Sequence, residues 1–119
     1  MNLTNLQFEI IELSTEDNYG LWELLESYSK KSPELEEKEI INKCALDIKH
    51  LYKNKLVELY EGKNLSECNV VEEKIAVEDI LNSSDNFKQP TNRTSTVYSI
   101  AATELGEKLY NETYSKYKK

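Results

Sequence analysis

Ala45-Leu46-Asp47-Ile48-Lys49-His50-Leu51-Tyr52-Lys53-Asn54-Lys55-Leu56-Val57-Glu58-Leu59-Tyr60 carries the architecture of this chain. Ile41, Cys44, Ala45, Ile48, Leu51 and Tyr52 recur at three- and four-residue steps, the apolar face of a helix. Asn42, Lys43, Asp47, Lys49, His50 and Lys53 cover the other face. Asn54-Lys55 ends the helix, Asn being a residue that takes the left-handed conformation readily. The period then changes to two. Val57, Leu59 and Glu61 point one way and Leu56, Glu58 and Tyr60 the other, and Gly62 supplies a turn.

The partner of that strand lies far downstream. Thr96 to Ala102 is rich in residues that fit a pleated surface. Thr103 then caps a final helix from Glu104 to about Tyr117, with Leu105, Leu109, Tyr110, Thr113, Tyr114 and Tyr117 on its apolar and aromatic side. Between the strands, residues 63–95 are irregular. A short helix is expected around Ala76–Asn82 with Val77, Ile80 and Leu81 inward, and Val70-Val71 begins a short extra strand. Upstream, residues 3–13 mix periods and leave helix and strand open. Ser14-Thr15-Glu16-Asp17 signals a helix start, and Leu21, Trp22, Leu24, Leu25 and Tyr28 give that helix a stripe through about Ser29. Trp22 is expected as a core anchor. Ser32-Pro33-Glu34 signals the next start, so residues 33–53 read as one nearly continuous helix without internal Gly or Pro.

A chain of 119 residues suits one domain, and 39% apolar residues place it well away from disorder. Eight of the eleven aromatics are Tyr, whose ring packs while its hydroxyl reaches water. The net charge of -7 is unevenly spread. Residues 1–29 hold six acids and no base, and residues 56–87 hold eight acids and two bases, whereas 30–55 and 88–119 lean basic. Most of such a surface repels a nucleic-acid duplex. Cys44 and Cys68 have no short spacing, and Cys44 falls on an apolar helix face as a reduced core residue. No signal peptide or membrane-length apolar run is present, so a cytoplasmic protein without a membrane partner is expected.

The quoted helix-to-strand stretch resembles the helix-to-wing junction of bacterial winged-helix proteins. The later segment Tyr98-Ser99-Ile100-Ala101-Ala102-Thr103-Glu104-Leu105-Gly106 is similar to their second wing strand and the Thr-x-x-Gly that opens the following helix, as in regulators of the MarR and PadR type. The resemblance implies an α+β fold, winged-helix-like, mainly helical with a small antiparallel hairpin and a C-terminal helix. It implies a single domain over residues 1–119 with an insertion at about 63–95. It also implies DNA reading, through Lys43, Lys49, His50, Lys53 and Arg93. Three features depart from that use. No turn is marked within 33–53, Asp47 interrupts the cationic helix face, and the connection between the wing strands is long and mostly acidic, with Lys88 and Arg93 only near its far end.

Catalytic patterns are sparse. His50 is the single histidine, on a polar helix face, and no nucleophile–base spacing or Gly-rich phosphate loop occurs. Glu34, Glu36, Glu37 and Glu39 read as a first helical turn matched to the helix dipole. The chain is therefore expected to be a non-enzymatic, acidic protein-binding module without cofactor or metal, of the immunity or inhibitor type that masks a basic partner such as a nuclease toxin. Glu16, Asp17, Glu23, Glu26, Glu72, Glu73, Glu78 and Asp79 form its candidate partner surface. A winged-helix transcription regulator is the alternative, and a small-molecule hydrolase or transferase ranks last. Tyr114 and Tyr117 are candidates for a homodimer contact through the C-terminal helix.

Overall fold

The computed structural model describes residues 3–15, 17–89 and 96–118, with side chains as far as Thr113. The chain is α+β. Helix α1 (Asn5–Ser14) settles the mixed pattern at the N-terminus as helical. The Thr4 hydroxyl accepts the Gln7 N–H and the Gln7 side chain accepts the Thr4 N–H, so two of the orphan donors at the helix start are satisfied. Strand β1 (Tyr19–Gly20) leads directly into α2 (Leu21–Lys31), and α3 (Glu37–Lys53) follows after a short turn. Then come β2 (Val57–Gly62), β3 (Cys68–Val70), α4 (Lys74–Asn82), a 3-10 turn (Ser84–Phe87), β4 (Val97–Ala102) and α5 (Glu104–Lys118).

The sheet runs in the order β1-β4-β2-β3 with every pairing antiparallel. Strand β2 pairs along its full length with β4, Val57 opposite Ala102 and Gly62 opposite Val97. The expected pair is thus present, and it is the centre of a four-stranded sheet rather than an isolated hairpin. Strand β1 was hidden because two residues are too few to show a period.

The helix starts shift from their expected positions. Ser14 does not open α2. Its hydroxyl donates back to the Ile10 and Ile11 carbonyls, inside α1. Pairing of Tyr19-Gly20 with β4 delays α2 to Leu21, and the Glu23 carboxylate accepts the Gly20 N–H there. Ser32-Pro33-Glu34 is a turn, closed by the Leu35 N–H on the Ser32 carbonyl, and α3 begins only at Glu37. Residues 33–53 are therefore a turn and a helix, and this turn joins α2 to α3.

One core joins these elements. Ile10, Ile11, Leu21, Leu24, Ile48, Leu51, Leu56, Val57, Leu59, Leu81, Phe87 and Ile100 are all fully buried. Cys44 lies in the same core as a free thiol, and burial followed by the nearby Asp47 pushes its ionisation well above the ordinary range. Trp22 is not the expected anchor. It is half-buried, and its ring covers Gly20 where a Cβ would stand. Ile80 is half-buried and Leu105, placed on the apolar side of α5 by its spacing, is 50% exposed. The Phe8 and Tyr110 rings stack at 5.4 Å, fastening α5 to α1.

The end of α3 is a Schellman motif. The Leu56 N–H donates to the Leu51 carbonyl at 2.9 Å and the Lys55 N–H to the Tyr52 carbonyl at 3.0 Å. Lys55, not Asn54, takes the left-handed conformation, at φ 61°. A side chain there is strained, so Lys55→Gly is expected to raise stability by about 1 kcal/mol. A urea-unfolding midpoint that stays put or falls would contradict this.

Candidate functional site

Among the clefts of the described surface, two combine an apolar lining with carboxylates, and a third of about 430 Å³ between α3 and the end of α4 is lined by Glu37, Lys38, Ile41, Asn42, Asn82, Ser84 and Lys88. One cleft, of about 630 Å³, lies between α2 and α3 beside the turn that joins them. Leu25, Pro33, Leu35 and Ile40 make it apolar, and Glu26, Glu37, Ser29 and Lys30 complete its lining. Its position follows from the late start of α3. Residues 32–36 form the connection beside it, and Leu35 of that turn is one of its lining residues. Glu26, Glu37 and Lys30 of its lining are exposed, and the neighbouring stretch of chain adds exposed Glu34, Glu36 and Glu39 and exposed Lys38. Lys31 is engaged elsewhere, in an ion pair with Glu9.

The second cleft, about 330 Å³, lies by the β2–β3 hairpin and the last turn of α3. Tyr52, Val57, Val70 and Val71 are its apolar lining, with Glu58, Glu72, Lys55 and Thr103 as polar groups. Val57 and Val71 are buried, whereas Glu58, Glu72 and Lys55 are exposed.

The acids selected from sequence do not form one surface. Glu26 lines the first cleft and Glu72 the second. From Glu37 to Tyr52, the α3 residues beside each, the helix rises about 22 Å at 1.5 Å per residue. Glu23 is committed to the α2 cap. Glu73 precedes α4 and is exposed, Glu78 and Asp79 lie on α4 half-buried and exposed, and Asp17 is exposed before β1. Glu16 lies outside the described residues. Glu37 and Glu58 were missed as site residues. Glu37 looked like a dipole-matching residue, and nothing local tells that Glu58 will stand near Glu72, since the hairpin register sets that pairing.

The cationic candidates fare unevenly. Lys43, His50 and Lys53 are exposed on one face of α3, with Leu46 at its middle, 64% exposed. Lys49 is half-buried and donates to the Asn82 side chain at the end of α4. Arg93 lies outside the described residues, as do the Tyr114 and Tyr117 side chains. Asp47 does not interrupt the cationic face. It turns toward the neighbouring helices, where the Tyr28 hydroxyl donates to it at 2.6 Å and the Gln7 amide at 3.0 Å. Burial first, then this hydrogen bond, raises the Tyr28 hydroxyl far above its ordinary ionisation range, so it remains a donor. Along the exposed side of α3, Glu37, Lys38 and Glu39 stand at its start and Lys43, His50 and Lys53 beyond, so the start is net acidic and the rest cationic.

No group of three or more His, Cys, Asp or Glu among the described residues is placed to share a metal ion. No helix among them is long and apolar enough to cross a membrane. Comparison with family models, curated proteins and solved structures returns no match to this chain.

Proposed function

We propose that this chain is a non-enzymatic, cytoplasmic module that binds a basic protein, in the manner of an immunity protein or inhibitor, on a winged-helix-like frame. The observation that carries the reading is the α2–α3 cleft, an apolar floor of Leu25, Leu35 and Ile40 rimmed by Glu26 and Glu37. An arginine or lysine side chain fits both parts of it. The aliphatic stem covers the floor while the charged head meets carboxylate. The surrounding acids would steer such a partner and raise its association rate. Glu26→Gln combined with Glu37→Gln is expected to weaken binding of a labelled arginine-rich peptide by about tenfold or more, mostly through slower association. Equal affinity for the double variant and the parent would sink the assignment of this cleft.

DNA binding is the second reading, and one observation favours it. The order α1-β1-α2-α3-β2 followed by β4, with β4 between β1 and β2, supports a winged-helix-like frame, in which α3 would be the reading helix. Such a helix contacts base edges through its N-terminal residues. Here those positions carry exposed Glu37 and Glu39, which a duplex would repel, around a single exposed Lys38, and the other cations lie further along. The charge order therefore supports the protein-binding reading over the DNA one.

A further inference from the structure

Strand β3 is the last in the sheet, and among the described residues no strand pairs with its outer side. The Val71 N–H donates to the Leu59 carbonyl at 2.8 Å and the Lys63 N–H to the Glu67 carbonyl at 3.1 Å. Antiparallel alternation then turns the backbone groups of residues 67, 69 and 71 toward β2, and those of Cys68 and Val70 outward. Pairing also fixes the side chains. Val71 is buried, while Val70 is 37% exposed and lines the second cleft with Glu58 and Glu72. Ile75, at the start of α4 just beyond, is 74% exposed. Strand β3 is short, at three residues, but no Pro or Lys stands within it and, among the described residues, no further element pairs with its outer side.

We infer that the β3 edge takes an extended, basic segment of a protein partner as a fifth strand, through the N–H and C=O groups of Cys68 and Val70. Alternate side chains of the added strand face the second cleft, where an apolar stem meets Tyr52 and Val70 and a cationic head meets Glu58 and Glu72. Charge selects this occupant. Residues 55–74 carry Glu58, Glu61, Glu67, Glu72 and Glu73, all exposed, against exposed Lys55, Lys63 and Lys74, an excess of acid with Lys55 in the lining of the cleft itself. A second copy of the chain would bring the same five carboxylates against these, and like charges facing each other oppose pairing. The inference rests on the partner being basic, but uses a part of the molecule remote from the α2–α3 cleft.

Residue-resolved amide hydrogen exchange, with and without a synthetic peptide of alternating lysine and valine, tests it. The Cys68 and Val70 amides are expected to exchange quickly in the free protein and to slow by about tenfold or more on peptide binding, as open edge groups do when paired. Val70→Pro removes an outward N–H that the hairpin does not use, so it should weaken the peptide about tenfold while Asn69 and Val71 stay protected. If that variant disrupts the hairpin, Glu58→Gln with Glu72→Gln provides the affinity test in its place. Peptide binding that leaves the Cys68 and Val70 amides unprotected overturns the inference. So does protection that grows with protein concentration alone, since a second copy would then be the occupant. Loss of this peptide's binding in Glu26→Gln with Glu37→Gln, with no change at β3, overturns it while sparing the cleft reading.

Discussion

Phe87→Ala is expected to cost about 3–5 kcal/mol, the range for deleting an aromatic ring from a packed core. Phe87 closes the 3-10 turn and is fully buried within the same cluster as Leu24, Ile48 and Ile100. That turn touches α2, α3, α4 and β4. The segment between β2 and β4 is therefore part of the domain and not an appendage to it, and the α3 framework depends on this ring. Small domains have about 5–15 kcal/mol in all, so the variant should be near unfolding at room temperature. Urea denaturation checks this. A loss below about 1 kcal/mol, far under the core-deletion range, would mean that the 3-10 turn detaches without disturbing the core.

Gly106→Ala is expected to destabilise by about 1–3 kcal/mol, as overpacking does. In an open helix the same change would stabilise by about 1 kcal/mol, because Ala is the better helix former. Packing reverses the sign here. A Cβ on Gly106 would run into the Leu56 carbonyl, which is backbone and cannot swing aside. That carbonyl also accepts the Thr103 N–H at 3.0 Å, and the Thr103 hydroxyl donates to the Lys55 carbonyl and accepts the Gly106 N–H. Moving α5 outward to make room would break this junction. The Thr-x-x-Gly spacing is thus a clamp between the start of α5 and the entry to β2. A rise in the thermal midpoint of Gly106→Ala would show that the clamp is loose.

The long, strongly periodic parts of this fold were legible in the sequence. The α3 face, the alternation of Val57 and Leu59, the short helix at α4 and the Thr103 cap all appear where the residues indicate them. Starts were misread where a capping residue had another use. Ser14 bonds back into its own helix, and Ser32 closes a turn. Asp47 illustrates a different limit. Its helical position places it at the margin of the polar face, and only the approach of Tyr28 and Gln7 from two other helices turns it inward. The site was less legible than the fold. Carboxylate counts along the chain put Glu26 and Glu72 in one candidate surface, and the structure sets them in separate clefts. The Glu26–Glu37 and Glu58–Glu72 groupings depend on how a turn and a hairpin register bring distant residues together.

The most direct test of the central claim sets two probes against each other, a labelled arginine-rich peptide and a labelled DNA duplex, in fluorescence anisotropy at low and moderate salt. Saturable binding of the peptide, weakened by salt and by Glu26→Gln with Glu37→Gln, with no binding of the duplex, is the predicted result. Tight binding of the duplex that Lys43→Glu with Lys53→Glu abolishes, with the peptide left unbound, would contradict the account and make α3 a reader of DNA.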